Sequence, residues 1–113
     1  MPRLPGADRQ HIDRRKLTHY LLSAAHPVGR GKARFFAELG FSATDPDLLD
    51  AALRVLALDA EAVETQDTGF GIKYIADGQL RGPTATAPVR TVWIIEHGSE
   101  TPRFVTAYPR SGL

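Results

Sequence analysis

The stretch Val89-Arg90-Thr91-Val92-Trp93-Ile94-Ile95-Glu96 decides the fold of this 113-residue chain. Valine, isoleucine, threonine and tryptophan all favour strands. In a strand the odd-numbered residues from Val89 to Ile95 share one face, and Arg90, Val92 and Ile94 share the other. Both faces are substantially apolar, so the stretch predicts a strand at the centre of a sheet rather than at its edge.

Shorter alternating segments lie on both sides of this strand. They predict strands at 62–68, 71–76 and 103–108, with a glycine turn at 69–71 and another turn at 97–100. Asp77-Gly78 is a turn signal, and the polar, proline-containing stretch 78–88 is expected to form a longer loop. The second half of the chain therefore predicts a four-stranded antiparallel meander.

The first half of the chain shows helical spacing instead. Helices are predicted at about 13–24, capped by Asp13, at about 31–39, ended by Gly40, and from Pro46 to about residue 58. The expected fold class is α+β, with about three N-terminal helices packed on the C-terminal four-stranded antiparallel sheet. The predicted organisation is an arm at 1–11, one domain at 12–109 and a tail at 110–113.

Composition restricts the classes of site that the chain can hold. It has no cysteine, which excludes a disulfide framework, a thiolate zinc site and a cysteine nucleophile. Its four histidines lack metal-ligand spacing, so we expect no metal and no cofactor. No apolar run approaches the roughly 20 residues of a membrane span, and the first residues do not resemble a secretory signal. We therefore expect no membrane partner.

Charge is segregated along the chain although the net charge is only +1. Residues 1–36 carry eight Arg and Lys against two Asp, whereas residues 37–70 carry one Arg against eight Asp and Glu. A basic third of this kind suits a phosphate-bearing partner. Alternatively, the basic and acidic segments meet each other in the fold.

The stretch from His26 to Lys32 contains most of the candidate binding and catalytic residues in the first half of the chain. The start of the second predicted helix holds Gly29, Arg30, Gly31 and Lys32. Free N–H groups at a helix start favour anions, and glycine permits close approach of a phosphate. The spacing is not that of a Walker A loop. An ordinary glycine-rich helix start remains the alternative interpretation.

Lys32 falls within the apolar arc of its helix, between the directions of Phe36 and Leu39. A lysine in that position either extends along the apolar surface to solvent or points into a cleft. His26, held in the loop before a proline, is a candidate general acid or base. On the sheet, Thr106 and Tyr108 share one face of the last strand, where hydroxyls can donate to phosphate, although both residues are also ordinary strand formers.

Several segments resemble a bacterial family of uncharacterised small domains. They are Lys16-Leu17-x-x-Tyr20-Leu21-Leu22, His26-Pro27-x-Gly29-Arg30-x-Lys32-Ala33-x-x-Phe36, Leu39-Gly40-Phe41, Thr91-Val92-Trp93 and Phe104-Val105-Thr106-Ala107-Tyr108-Pro109. The likeness covers about residues 4–109. The order of elements, and a Thr-Val-Trp strand followed by Thr-Ala-Tyr-Pro, also resemble the toxin superfamily that unites barnase, EndoU, the tRNase colicins and RelE.

This second resemblance implies metal-independent RNA cleavage, in which a ribose 2′-hydroxyl attacks the adjacent phosphate. The candidate catalytic residues are His26 as acid or base, Arg30 and Lys32 for phosphate charge, and Thr106. The candidate substrate-binding residues are Lys16, Gly29, Gly31, Lys73 and Tyr108. The implied partners are RNA, with tRNA and mRNA as candidates, and a neutralising immunity or antitoxin protein. The implied site of action is the cytoplasm, after delivery in a larger secreted toxin if the domain belongs to one.

Two alternatives stay open from the residues. One is a non-enzymatic protein-binding module, such as a toxin or antitoxin partner or an adaptor, in which the acidic segment from Asp45 to Asp67 would be the important surface. The other is nucleic-acid binding without cleavage, which would show salt-dependent affinity for an intact substrate.

Overall fold

The computed structural model describes residues 3–18, 22 and 30–110, and for Arg30 and Gly31 only the backbone. A 3₁₀ turn, Ala7–Arg9, precedes three α-helices, namely α1 (Arg14–Lys16), α2 (Arg30–Glu38) and α3 (Pro46–Asp59). Four strands follow, namely β1 (Glu61–Asp67), β2 (Gly71–Arg81), β3 (Thr86–Glu96) and β4 (Arg103–Pro109). The predicted α+β fold, with the helices before the strands, is confirmed.

The sheet is an antiparallel meander in the order β1-β2-β3-β4. The strand read as central, β3, pairs with both β2 and β4, as predicted. One face of the sheet meets the helices and includes Trp93, whereas the opposite face, here called the second face, includes Asp77, Arg90, Val92, Thr106 and Tyr108 in cross-strand register. The register between β3 and β4 shifts at Val92/Trp93, and this β-bulge leaves one extra residue on β4.

The predicted turn at Asp77-Gly78 and the loop at 78–88 are wrong. β2 continues to Arg81, and β3 begins at Thr86. Asp77 stays in the strand because its carboxylate pairs with Arg90 on β3. Gly78 stays there because α3 passes close by, and a Cβ at this position would lie 3.0 Å from Cγ of Leu56.

The ends of the helices follow the sequence signals. The Asp13 carboxylate accepts the Arg15 N–H at 2.9 Å, which caps α1. The rest of the first predicted helix, at 19–21 and 23–24, lies outside the described residues. Beyond the end of α2, Gly40 has φ +100, and the N–H groups of Gly40 and Phe41 donate to the carbonyls of Ala37 and Phe36. This is the Schellman pattern that favours glycine.

The core lies between the first face of the sheet and helices α2 and α3. Trp93 and Phe104 are fully buried and meet edge to face, with ring centroids 5.3 Å apart. The Trp93 indole N–H donates to Thr91 Oγ1 at 2.8 Å, and the Thr91 hydroxyl donates to the Ala76 carbonyl at 2.7 Å. The polar groups of this core are therefore satisfied within the sheet.

Residues 3–11, predicted as an arm, pack against the domain. Leu4 is only 3% exposed, and Arg3 forms a β-bridge with Glu61. His11 forms a bridge with Arg103 at the start of β4. At the other end of the chain, the predicted tail begins at Arg110, whose side chain contacts Asp77.

Replacing Gly40 by alanine is expected to lower the free energy of unfolding by about 2 kcal/mol. A Cβ at this position carries the cost of a left-handed backbone, about 1 kcal/mol, and would lie 3.0 Å from both Pro83 Cδ and Thr84 N. Gly69→Ala is the matched control, because Gly69 also has positive φ but nothing lies within 4 Å of its built Cβ. Urea unfolding should show the larger loss for Gly40→Ala, and equal losses would contradict the role of the close contacts.

Candidate functional site

Lys32 in the first turn of α2 connects that helix to the last strand. Its Nζ donates to Thr106 Oγ1 at 3.1 Å and lies 5.6 Å from the centroid of the Tyr108 ring, within the range of a cation–π contact. Of the two interpretations of Lys32, the geometry therefore favours a side chain aimed at the sheet. Three of the candidate site residues, Lys32 of α2 and Thr106 and Tyr108 of β4, therefore lie together.

A row of side chains crosses the second face of the sheet beside Lys32. In the strand register Asp77 on β2 stands opposite Arg90 on β3, and Arg90 stands opposite Tyr108 on β4. In the neighbouring row, Val92 stands opposite Thr106. Side chains directly opposite on one face of antiparallel strands are close enough to interact. The contacts of Lys32 thus continue across the sheet through Tyr108 and Arg90 to Asp77.

Asp77 holds two arginines at the far end of this row. Its Oδ1 accepts Arg90 Nε at 2.7 Å, and its Oδ2 accepts Arg90 Nη2 at 2.8 Å, which is a bidentate pair. Arg110 Nε lies 3.2 Å from Oδ2 of the same carboxylate. Asp77 has a 6% exposed side chain, whereas the Arg90 and Arg110 side chains are 33% and 37% exposed. One buried carboxylate therefore orients two half-exposed guanidinium groups.

The pKa values reflect this arrangement. Hydrogen bonds from Arg90 hold the pKa of Asp77 below its ordinary value, against the opposing effect of burial and with further help from the charges of Arg90 and Arg110. The hydrogen bond to Asp77 likewise raises the pKa of Arg90, and the Tyr108 side chain adds to this increase. Asp77 is therefore ionised, and Arg90 charged, throughout the neutral pH range.

The remaining predicted site residues are placed as follows. Lys16 donates from Nζ to the carbonyl of Val105 at 3.1 Å, next to Thr106 in the chain. Lys73 stands opposite Ile94, so the whole of β3 separates it from β4. Arg30 and Gly31 are the first residues of α2. His26 and Gly29 lie outside the described residues, so their predicted roles stay predictions.

Sequence reasoning missed Asp77, Arg90 and Arg110. Arg90 carried a usable signal, because a cation stood between apolar residues on one face of the clearest strand. Asp77 was interpreted as part of a turn, and Arg110 was assigned to the tail. The strand register brings the three together, and it also places them next to Tyr108.

Other features of the surface lie apart from this row. A shallow cavity of about 310 Å³ shares no lining residue with it and is lined by Leu48, Ala51, Ala52, Val55, Gln79 and Arg81. In the described ranges, no group of three His, Asp or Glu side chains is placed to hold a metal ion. None of the described helices is long and apolar enough to cross a membrane.

The chain belongs to the family described as Domain of unknown function (DUF6883), which matches residues 3–111. This agrees with the resemblance to a family of uncharacterised small domains. No curated protein matches the chain.

The fold also occurs in a solved structure. The chain is similar to one chain of a contact-dependent growth inhibition toxin–immunity protein complex from Klebsiella pneumoniae 342, with a TM-score of 0.70 and 16% sequence identity. The match covers 96% of this chain and 100% of that one. At this identity the likeness establishes a shared fold.

Proposed function

We propose that this domain is a toxin-type RNase that cleaves RNA without a metal ion. The observation that carries the proposal is the contact of Lys32 with Thr106 and Tyr108, which joins the start of α2 to the last strand. Those residues were selected from sequence as parts of one phosphate site. The fold shared with a chain of a toxin–immunity complex supports a toxin-related role, and the resemblance to the barnase, EndoU, colicin and RelE superfamily favours the toxin.

In the proposed reaction the ribose 2′-oxygen forms a bond to the adjacent phosphorus, and the bond from phosphorus to the 5′-oxygen breaks. A base takes the proton of the 2′-hydroxyl, and an acid gives a proton to the leaving 5′-oxygen. Lys32 stabilises the charge that develops on the phosphoryl oxygens. Thr106 places its hydroxyl, and Tyr108 its ring, beside the ammonium group of Lys32. His26 is the proposed acid or base, and Arg30 and Lys16 are proposed to contact flanking phosphates.

A neutralising partner is part of the proposal. A free RNase damages the cell that makes it, and the structural neighbour is one chain of a toxin–immunity protein complex. The row presents three cations, Lys32, Arg90 and Arg110, on the side of Asp77 that faces β3 and β4. A partner with an acidic surface would cover that row and exclude RNA.

We expect the purified chain to cleave tRNA or mRNA in the presence of EDTA and to leave 2′,3′-cyclic phosphate ends. A substrate with a 2′-deoxyribose at the cleaved position should resist, because the attacking hydroxyl is missing. The measurement is electrophoresis of end-labelled RNA, with DNA of the same sequence as the control. Intact RNA after incubation with high enzyme concentrations, or cleavage abolished by EDTA, would refute the proposal.

A second candidate function has one specific observation in its favour. Leu48 and Val55 on the outer side of α3 are 45% and 54% exposed and line the shallow cavity beside Ala51. Exposed apolar side chains that line a concave surface are typical of protein-binding sites. Failure to cleave any RNA, combined with retention of the product of a neighbouring gene on the immobilised chain, would favour this binding module over the RNase.

A further inference from the structure

The Asp77–Arg90–Arg110 cluster gathers two guanidinium groups around one buried carboxylate. A buried carboxylate is satisfied by one bidentate arginine, yet Asp77 receives a second guanidinium 3.2 Å from Oδ2. The two guanidinium groups therefore share one carboxylate, and the next carboxylate of the row, Glu61, stands opposite Asp77 on β1, away from Tyr108. Asp77 is nearly fully buried while both arginines reach solvent, so the positive charge of the arginines lies at the surface.

The arginines retain donors for a further anion. A guanidinium group has five N–H donors in a planar fork, and the pair with Asp77 uses Nε and Nη2 of Arg90. Arg110 approaches Asp77 through Nε. The forks are therefore oriented from one side by the buried carboxylate, which lowers the entropy lost when they bind a ligand.

The cluster is also continuous with the proposed cleavage site. Tyr108 stands directly opposite Arg90 in the strand register, and its ring lies 5.6 Å from Lys32 Nζ. An aromatic ring between two cationic positions is the arrangement on which single-stranded nucleic acid is held, because bases stack on rings and phosphates meet the cations.

We propose that Arg90 and Arg110 form a second phosphate-binding position. It lies next to the phosphate position at Lys32 along the bound nucleic acid. The ligand is then a single-stranded polynucleotide that contacts the second face at two or more phosphates, with Tyr108 between them. This inference rests on the proposed RNase function for the identity of the ligand. Asp77 is a positioning residue in this scheme, since it acts through the arginines.

The competing explanation is that the cluster only joins β2, β3 and the end of β4. Thermal stability and nucleic-acid affinity separate the two explanations. A structural ion pair changes the melting temperature, whereas a phosphate contact changes the dependence of affinity on salt. Arg110 follows the last strand, so its replacement tests binding with the least disturbance of the sheet.

The probe is a fluorescein-labelled single-stranded oligonucleotide with 2′-O-methyl groups, which lacks the attacking hydroxyl and stays intact. Anisotropy titrations between 50 and 200 mM salt would compare the parent with Arg90→Gln, Arg110→Gln and Arg34→Gln. Each of the first two should weaken binding by about three- to tenfold at 50 mM salt and reduce the salt slope by about 1. Arg34→Gln, an exposed cation on α2, should change neither value.

The inference is overturned if Arg110→Gln, folded with an unchanged melting temperature, binds with the affinity and salt slope of the parent. The two proposals fail in different ways. A parent that cleaves RNA while both arginine variants bind normally keeps the RNase function and refutes the second phosphate position. A parent that binds the probe through these arginines but never cleaves RNA keeps the phosphate position and refutes the RNase function.

Discussion

Replacement of Lys32 by alanine is expected to lower the rate of RNA cleavage at least about 100-fold, with little change in stability. The Lys32 ammonium group contacts Thr106 in the candidate site. The loss of one preorganised donor to a developing oxyanion typically lowers the rate by about 10²–10³. The side chain is only half-buried, so its removal leaves no large cavity in the core. The measurement is the single-turnover cleavage rate of labelled RNA, with circular dichroism as the test of folding.

Arg34→Ala is the matched control for this experiment. Arg34 lies two residues further along α2, is exposed and carries the same charge, so it controls for the general electrostatic attraction of RNA. The control should retain parental activity within about twofold. Equal loss in the two variants, or a fully active Lys32→Ala variant, would exclude Lys32 from the reaction.

Two further variants would assign the functions within the site. Thr106→Val removes the hydroxyl that accepts the Lys32 hydrogen bond and retains the shape of the side chain. If Thr106 positions Lys32, the rate should decrease while the binding of an uncleavable oligonucleotide stays unchanged. Tyr108→Phe retains the ring beneath Lys32 and removes the hydroxyl beside Arg90, so it separates stacking from hydrogen bonding.

The fold could be predicted from sequence because strand and helix periodicities differ so clearly along the chain. Alternation in β3 identified the central strand, and Gly40 and Pro46 marked helix boundaries through backbone conformation alone. Asp77-Gly78 misled the prediction, because a local turn signal was overridden by interactions that form only in the folded chain. One is the pair with Arg90, and the other is the close approach of Leu56 to Gly78.

The site was predictable only in part for a related physical reason. Lys32 could be selected because helical periodicity shows which side of the helix it occupies, whereas Thr106 entered the candidate site through the resemblance to the toxin superfamily. The row through Arg90 depends on register, which sets the residues of β2, β3 and β4 that stand opposite one another. Register is decided by packing of the whole sheet, so the segment that contains Asp77 gave no sign of its partners.

The segregation of charge along the sequence only partly matches the positions of the cations in the fold. The basic first third contributes Lys32 to the site, but the other two cations of the row, Arg90 and Arg110, come from the nearly neutral last third. Part of the basic segment pairs with the acidic one instead, since Arg14 contacts Asp47 at 2.7 Å. The interpretation that basic and acidic segments meet thus describes part of the molecule, and the phosphate-bearing partner stays a prediction. The position of a cation in the strand register determines its neighbours more than its position along the chain.

Replacement of Asp77 by asparagine is expected to lower the free energy of unfolding at pH 7 by about 2–3 kcal/mol. Removal of one member of a buried ion pair leaves its partner without compensation, and the half-exposed arginines keep the cost at the lower end of the usual range. Asp50→Asn is the matched control, because Asp50 also pairs with an arginine, Arg54, but within one turn of α3. That pair should contribute less than about 0.5 kcal/mol.

The stability difference between the parent and Asp77→Asn is expected to depend on pH. The folded-state pKa of Asp77 lies below 3.8, so its ionised form is favoured by folding. This contribution is present in full above about pH 5 and is lost as the pH falls through the unfolded and then the folded pKa. Asparagine resembles the protonated acid and has no such dependence. Melting temperatures of the parent and Asp77→Asn should therefore differ most near pH 7 and approach each other as the pH falls through the folded-state pKa, and a difference that stays constant on acidification would show that the charge of Asp77 is not what stabilises the sheet.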